Sequence, residues 1–524
     1  MKDQLKVLRE GRATSAAFIF AALIGQALAL GLAAIATRDA FVALRGEGDE
    51  ILAPVILLGV AGLGVAALQY LARVEAERLG YSFAQTLRSA LYLQYARMPA
   101  SEIARRRLGA LSLRFVGDLT AARGWAGTGM TRAAAAVVIL PAAAICLWHL
   151  NPPLALIAAP PVLLSLCLAV AIGWRQEQRH RGLRKQRARI ASSMMERVAM
   201  APQLDLLGRT RKEVATLEGR NAELAMLALC RIRPSTLMRA LPDIGVAFAG
   251  ALMFLAAARS GVDAADVAGA LAALAILARP LRDLGGAWDK YCAWRVAREK
   301  CEAILNAPVM ERPRGSRAKP TSLYVENLVV NGQPALSFET GETGVHHLDR
   351  RVEPGVIEAL AILDEPEKGR VMYLNPNGGV RRPRLSLITA TAPILSGSLR
   401  RSLTLGASTR PSDRQINRVA RAYGFDVALG RMGGVEGRIG ENGEGLRPNE
   451  VLRLLITRAA ITAPNFVLVE AKMLAGDAEA SDLITRLSDD ANVPILVIGD
   501  EASHPAWRRV RPPFDGDELA IRRA

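Results

Sequence analysis

The sequence is poor in the residues that build disulfide frameworks and zinc sites. It holds five cysteines and five histidines in 524 residues, and the cysteines show no C-x-x-C or cysteine–histidine spacing. We therefore expect reduced structural thiols. The adjacent pair His346 and His347 would point to opposite sides of a strand, so we expect no metal site there or elsewhere.

Aromatic residues are also scarce, at 5% of the chain, and they do not alternate with the basic residues that give it a net charge of +17. A surface that binds single-stranded nucleic acid combines basic residues with aromatic stacking platforms. The composition therefore disfavours nucleic acid as a partner. It favours membrane lipid, because arginines next to apolar runs are attracted to anionic headgroups.

Charge is nearly absent from six apolar runs of about 20 residues, each long enough to cross a bilayer core of about 30 Å. Gln26 is a rare polar residue inside them. Because intramembrane charges usually mark ion or proton routes, a proton-coupled pump is disfavoured. Near the start of the fifth run, Arg239 and Asp243 stand four residues apart, which predicts a local ion pair. The six predicted spans are 14–36, 51–72, 133–150, 152–174, 237–258 and 262–278.

Arginine is concentrated in two long intervals, 73–132 and 175–233, whereas the alternate loops are short and carry few cations. Cytoplasmic loops of membrane proteins carry an excess of Lys and Arg. We therefore expect an integral inner or plasma membrane protein with both termini and the C-terminal domain in the cytoplasm. The two intervals are expected to extend the spans as helices, with a turn at 98–102 and a break at 201–202.

The C-terminal part has a different texture, with short β-type runs alternating with helical ones. The sequence predicts a transmembrane domain over 1–308, a linker over 309–321, an α/β domain over 322–513 and a tail over 514–524. Alternation at 322–330 predicts an edge strand, and three apolar runs predict buried parallel strands. These runs are 385–389, 465–469 and 494–498, and helical spacing is found at 414–424 and 449–463.

This order of segments resembles a half-transporter of the ABC exporter family over nearly the whole chain. Met98 and Pro99, followed by Asp118, resemble the stretch that leads from the first coupling helix into the third span. The resemblance implies six transmembrane helices followed by an α/β domain like that of P-loop NTPases. It also implies a dimer whose ATP sites each combine the P-loop of one chain with the signature of the other. The matching C-terminal segments are 392–402 after the Q-loop, 440–446 before the signature and 464–470 at Walker B.

The phosphate-binding positions depart from that family's pattern. A P-loop needs glycines, a lysine for the phosphates and a hydroxyl for Mg²⁺, and the segment 343–355 has neither the lysine nor the hydroxyl where they are needed. The usual signature Leu-Ser-Gly-Gly-Gln is also replaced. The residues at the P-loop position are Asp349, Arg350, Arg351 and Gly355, and those at the signature are Leu446, Arg447, Pro448, Asn449 and Glu450.

The metal and catalytic positions depart as well. Val469 stands at the Walker B aspartate, Ala390 at the Q-loop glutamine and Asp500 at the switch histidine. Glu470 remains at the family's general-base position. It is the one candidate catalytic residue, and we expect it to be idle, because a base without bound Mg-nucleotide has nothing to act on.

Together these departures predict an exporter-type membrane subunit that does not hydrolyse ATP by the usual mechanism. We expect no cofactor of its own, with ATP and Mg²⁺ available only through a partner subunit. The expected partner is another ABC half-transporter, in a heterodimer rather than a homodimer, and the apolar spans suit a hydrophobic or amphipathic substrate. Two alternatives stay open, a pseudo-transporter acting as a membrane scaffold or regulator and an ATP-driven exporter with a non-standard nucleotide site.

Overall fold

The chain forms two compact units. We call Met1–Arg97 with Arg105–Pro308 the helical unit, and Met98–Ala104 with Val309–Ala524 the α/β unit. The computed structural model describes residues 7–8, 11–44, 51–106, 114–174, 176–310, 319–320, 322–341, 343–350, 355–375, 378–379, 383–440 and 443–510.

Long helices make up the helical unit, and six candidate spans are long and apolar enough to cross a membrane, as predicted. The helices of the first 305 residues are α1 (Arg12–Leu44), α2 (Leu52–Tyr95), α3 (Ala100–Ala104), α4 (Phe115–Leu150), α5 (Pro152–Gly173), α6 (Gln176–Ala199), α7 (Ala201–Leu206), α8 (Thr210–Ser260) and α9 (Ala264–Leu305).

Three helices are too long to lie within a bilayer. α2, α8 and α9 contain 44, 51 and 42 residues. At about 1.5 Å per residue they are about twice the length of a 30 Å hydrocarbon core. The prediction that helices continue past the apolar spans is therefore confirmed for these three. The predicted break also appears, because α6 ends at Ala199 and α7 begins at Ala201 with a proline in its first turn.

Glycine allows α2 and α4 to touch through their backbones. A Cβ atom at Gly80 would lie 2.8 Å from the carbonyl oxygen of Arg123, and one at Gly127 would lie 2.7 Å from that of Ala76. Small residues permit this approach between membrane helices. The two positions fix α2 against the start of α4.

A buried carboxylate, Asp289 on α9, joins three helices. It is 7% exposed, and Oδ1 lies 2.9 Å from His180 Nε2 on α6. Its Oδ2 lies 3.3 Å from Arg231 and 3.7 Å from Arg239, both on α8. The predicted pair between Arg239 and Asp243 is therefore wrong. Asp243 instead lies 3.3 Å from Arg282 of α9, because packing brings both side chains closer to α9 than to each other.

The described strands of the α/β unit form three sheets. The strands are β1 (Ser322–Val329), β2 (Leu336–Glu339), β3 (Val345–Leu348), β4 (Lys368–Asn375), β5 (Gly378–Gly379), β6 (Leu385–Ile388), β7 (Gly397–Ser398), β8 (Arg438–Ile439), β9 (Phe466–Glu470), β10 (Ile495–Ile498) and β11 (Arg508–Arg509). One sheet is parallel, with order β11-β3-β10-β9-β6, one is antiparallel, with order β2-β1-β4-β5, and β7 pairs with β8 in the third.

The helices between residues 399 and 491 pack on one face of the parallel sheet, and the short helix 356–360 packs on the other face with the antiparallel sheet. Those of the α/β unit after α3 are α10 (Val356–Leu360), α11 (Leu399–Leu403), α12 (Asp413–Ala422), α13 (Asp426–Arg431), α14 (Pro448–Thr462), α15 (Ala471–Leu474) and α16 (Ala480–Ala491).

β9 shows why the apolar runs form buried strands. Val467 and Val469 pack among the helices, whereas Phe466 and Leu468 pack towards the antiparallel sheet. A strand covered on both faces needs a continuous apolar run rather than alternation. The predicted strands β6, β9 and β10 are confirmed as parallel neighbours.

β1 does not lie at an edge, contrary to the prediction from its alternation. It pairs antiparallel with β2 on one side and β4 on the other. Its first four residues, Ser322–Val325, are all buried. Because both neighbours come from elsewhere in the chain, the local pattern carries no sign of them.

The short helix α3 is attached to the α/β unit by polar contacts. Ala100 N–H donates to the carbonyl oxygen of Leu363 at 2.8 Å. The Ser101 hydroxyl donates to Asp364 Oδ1 at 2.9 Å, and its N–H donates to Oδ2 at 3.2 Å. The predicted turn at 98–102 is thus the start of α3, and Asp364 stabilises it through two hydrogen bonds to Ser101.

Candidate nucleotide-binding positions

The parallel sheet brings several of the predicted site residues to one edge. β6, β9 and β10 are adjacent and in register, with Ile388 opposite Val469 and Ile498 opposite Glu470. Ala390 and Asp500 follow two residues after β6 and β10 end. In open α/β sheets, ligands bind at the carboxyl ends of the strands. Ala390, Glu470 and Asp500 therefore share the edge where a ligand would be expected.

Glu470 at the end of β9 is tied to its own chain. Its Oε2 accepts a hydrogen bond from the backbone N–H of Ala390 at 3.1 Å. The candidate general base is thus held against the position where the family has its Q-loop glutamine, and Ala390 offers a methyl group there instead of an amide.

Val469 gives no metal ligand. It is 0% exposed and belongs to the apolar cluster between the parallel sheet and the helices. A carboxylate at this place would be buried among aliphatic side chains. Among the residues that the structure describes, no group of three or more His, Cys, Asp or Glu side chains is arranged to hold a metal ion.

The P-loop position leads into a single helical turn. Asp349 and Arg350 are exposed just after β3, and Asp349 Oδ2 lies 3.5 Å from Arg509 Nη2. Gly355 has φ +102° and precedes α10. Its N–H donates to Glu358 Oε2 at 3.0 Å. The first free N–H of this turn is therefore used by a carboxylate of the same turn, while Arg351 lies outside the described residues.

The signature position lies at the N-terminus of α14. Glu450 Oε2 accepts the N–H of Arg447 at 2.8 Å and lies 2.6 Å from Arg431 Nη2. Asn449 Oδ1 accepts the N–H of Glu450 at 2.9 Å. Leu446 packs against the core below, and Pro448 has no N–H to give. This helix start is thus capped by its own side chains.

The charge of Glu450 is held in place. Burial acts against its ionised form, but the Arg447 N–H and the Arg431 guanidinium outweigh that effect and lower the pKa of Glu450 below its usual value. A carboxylate near a helix N-terminus is further favoured by the helix dipole. Glu450 is therefore ionised at neutral pH, at the predicted signature position.

Sequence reasoning missed the roles of Glu358, Glu450 and Arg431. A glutamate three residues after the N-cap position is the second half of a capping box, and both 355–358 and 447–450 have that spacing. This signal was present but the first halves, Gly355 and Arg447, have no hydroxyl or carboxylate acceptor to mark the motif. Arg431 comes from α13 and has no local signal.

Comparisons with known proteins agree with the helical unit. Residues 13–261 match the family model described as the ABC transporter transmembrane region. No curated protein sequence matches the chain. A bacterial Atm1-family ABC exporter, solved with ATP bound, superposes with a TM-score of 0.76 at 16% identity, covering 94% of this chain and 91% of that chain.

These findings establish a class of protein by fold. Residues 13–261 are similar to the ABC transporter transmembrane region, and the chain has the fold of an ABC exporter. The predicted helical membrane domain with six candidate spans is confirmed. At 16% identity the structural likeness concerns the fold alone.

Proposed function

We propose that the chain is the membrane subunit of a dimeric, exporter-type transport complex and does not itself hydrolyse ATP. The observation that carries this proposal is the Glu450 carboxylate at the N-terminus of α14, bonded to the Arg447 N–H and paired with Arg431. The position that would clamp a phosphate holds an internal anion.

The electrostatics of this position oppose nucleotide. A helix N-terminus attracts phosphate through free N–H groups and the positive end of the dipole. At α14 one N–H is bonded to Glu450 and another is missing at Pro448. Two like charges about 4 Å apart repel by about 1 kcal/mol in water and about 4 kcal/mol near a protein surface. The Gly355 N–H is likewise bonded to a carboxylate of its own helical turn, that of Glu358.

Metal chemistry is opposed for a separate reason. Mg²⁺ is bound by oxygen ligands in octahedral geometry, and Val469 and Ala390 provide none. Glu470 is left as a carboxylate bonded to the Ala390 N–H. We therefore propose that Glu470 is idle, and that Asp349, Arg350, Asn449 and Asp500 hold no nucleotide.

A partner subunit with intact motifs would supply the energy. This chain departs from the family at both the P-loop and the signature, so a homodimer would have no complete ATP site. A heterodimer partner would still hold its own P-loop and Walker B residues. We accordingly propose a heterodimer, with the arginine-rich intervals, both termini and the α/β unit facing the cytoplasm.

The first test measures nucleotide binding and hydrolysis by the full chain in lipid nanodiscs. We expect phosphate release from Mg-ATP at the level of empty discs, and no change for Glu470→Gln. We also expect no saturable binding of radiolabelled ATP. Hydrolysis that Glu470→Gln abolishes would contradict the proposal and favour an ATP-driven exporter with a non-standard site.

The second test is purification from native membranes followed by identification of bound proteins. We expect a second ABC half-transporter whose P-loop and Walker B residues are intact. Its absence, together with recovery of a partner outside the ABC family, would contradict the transport role and favour the scaffold or regulator alternative.

A further inference from the structure

A cavity of approximately 390 Å³ lies among α1, α2, α4 and α9 of the helical unit and opens to the surface, where Arg73 and Arg279 are exposed. Pockets that bind small molecules have volumes of about 300–1,000 Å³, and a few polar groups in them fix the orientation of the ligand. This cavity is unusual for its charge. Its polar lining consists mainly of Gln69, Arg73, Thr128, Arg132, Arg279 and Asp283.

The polar groups are gathered at one end. Arg279 donates to Gln69 Oε1 at 2.9 Å, and Arg132 lies 3.4 Å from Asp283. These contacts bring α2, α4 and α9 together at a common level. Arg73 lies one turn further along α2 from Gln69, and Asp283 one turn further along α9 from Arg279.

The opposite end is apolar. Val65 on α2 and Ile276 on α9 each precede the polar residues of their helix, whereas Ile139 on α4 follows them. α4 runs antiparallel to α9. Arg132 lies against Asp283, whereas Gly129, which comes earlier on α4, lies against Lys290, which comes later on α9. The three aliphatic side chains therefore extend from the polar end in the same direction, and the cavity is amphipathic.

Positive charge is in excess at the polar end. Three arginines, Arg73, Arg132 and Arg279, face one carboxylate, Asp283, which lies 3.4 Å from Arg132 and 4.0 Å from Arg279. Arg73 makes no hydrogen bond or ion pair with any residue that the structure describes. Its planar fork of donors suits a carboxylate or phosphate.

Gln26 gives a second, independent sign of a ligand. This α1 side chain lines the cavity and is 7% exposed. Its buried Nε2 has no hydrogen-bond partner among the described residues. Leaving a buried donor unsatisfied costs about 1–3 kcal/mol, and such groups in native proteins call for an explanation. An acceptor oxygen on a bound molecule would satisfy it.

We propose that this cavity binds an amphipathic anion, an alkyl chain that ends in a carboxylate or phosphate. Arg73 and Arg279 hold the oxyanion, Gln26 donates to an oxygen of the ligand, and Val65, Ile139 and Ile276 contact the chain. The inference rests on the proposed function, because it gives the exporter-type subunit a substrate class.

The test measures binding of radiolabelled dodecanoate and monododecyl phosphate to the full chain in nanodiscs of zwitterionic lipid, after subtraction of empty discs. Dodecyltrimethylammonium and monododecanoylglycerol serve as cationic and neutral competitors. We expect saturable binding of at least one anion, displaced by unlabelled anion at concentrations about tenfold below those at which the cation or neutral lipid competes. The better anion identifies the headgroup as carboxylate or phosphate.

Two variants and a control locate the site. Arg73→Gln removes a charged donor without breaking a described contact and should weaken anion binding about tenfold. Gln26→Leu should weaken it about threefold. Arg88→Gln lies on the exposed surface of the same helix outside the cavity, and it should leave the affinity unchanged.

Equal competition by anion, cation and neutral lipid would overturn the proposal, as would unchanged affinity in both cavity variants. These outcomes are independent of the ATP measurements. If the chain lacks ATPase activity and also fails to bind the anions, only the proposed substrate class is wrong and the proposed function stands. ATP hydrolysis by this chain removes the proposed function and leaves the cavity assignment standing.

Discussion

Two sets of polar groups, one from each unit, differ in what they are bonded to. In the α/β unit, the glutamates at the nucleotide positions are satisfied within the chain, Glu358 by the Gly355 N–H and Glu450 by Arg447 and Arg431. In the cavity of the helical unit, Gln26 Nε2 has no partner among the described residues. A polar group with internal partners stabilises the fold, whereas a buried one without them calls for an explanation, which for Gln26 is the proposed ligand.

The largest effect is expected from breaking the buried Asp289 network of the helical unit, whose carboxylate is bonded within the chain. Asp289→Ala leaves His180, Arg231 and Arg239 without their shared carboxylate, and removing one partner of a buried charge cluster costs about 3–5 kcal/mol. We expect a large fall in the thermal unfolding temperature of the full chain in nanodiscs. Asp243→Ala removes a pair whose side chains are about half exposed and should cost at most about 1 kcal/mol.

A second test removes a buried cation from the α/β unit. Arg458 is 6% exposed, and it donates to the carbonyl oxygens of Ser402 and Pro393 at 2.7 Å. Arg458→Met leaves both acceptors without this donor, so we expect a loss of about 2–3 kcal/mol in the same unfolding measurement. The exposed Arg421→Met on α12 is the matched control, and an equal loss there would contradict a specific role for Arg458.

A third and smaller effect concerns the internal anion of α14. Glu450→Gln keeps the shape but weakens the cap and the Arg431 pair, and we expect amides near the start of α14 to exchange about fivefold faster at pH 7, a cost of about 1 kcal/mol. Hydrogen exchange of the full chain measures this directly.

The pH dependence of the same site follows from the sign of its pKa shift. Because the pKa of Glu450 is lower in the folded chain than in the unfolded one, its stabilisation is present above the unfolded value of about 4.3 and is lost as pH falls through the folded pKa. The excess exchange of Glu450→Gln over wild type should shrink as the pH falls below about 4. An excess independent of pH would show that ionisation of Glu450 contributes nothing.

The smallest effect is expected at Gln26, whose Nε2 has no partner among the described residues. Gln26→Leu replaces an unsatisfied amide with an aliphatic side chain of similar size. The free energy of unfolding should therefore stay the same or rise by up to about 1 kcal/mol, and the unfolding temperature should follow it. A loss above that would show that Gln26 has a structural partner, and the contrast with the satisfied glutamates would fail.

The sequence predicted those features that depend on a local pattern. The six spans follow from apolar length, and β6, β9 and β10 follow from continuous aliphatic runs, because both faces of these strands are covered. Ala390 and Glu470 were assigned separately and proved to be neighbours through the pairing of β6 with β9.

The features it missed depend on partners far along the chain. β1 alternates like an edge strand but lies between β2 and β4. Arg239 was paired with Asp243 at helical spacing, yet its carboxylate partner is Asp289, on another helix. The cavity has the same origin, because Gln69, Arg132 and Arg279 come from three helices whose packing alone makes them one surface.

The capped N-terminus of α14 has a consequence for how this chain responds to the ATP concentration in the cell. A ligand shifts a conformational equilibrium only through its differential affinity for the two states, and it stabilises the state it binds in proportion to the logarithm of its concentration. An intramolecular carboxylate is present in every molecule at a constant effective concentration. Under the proposed function, the conformational populations of the α/β unit therefore do not change with the ATP concentration, and its conformational changes must be driven by a partner subunit.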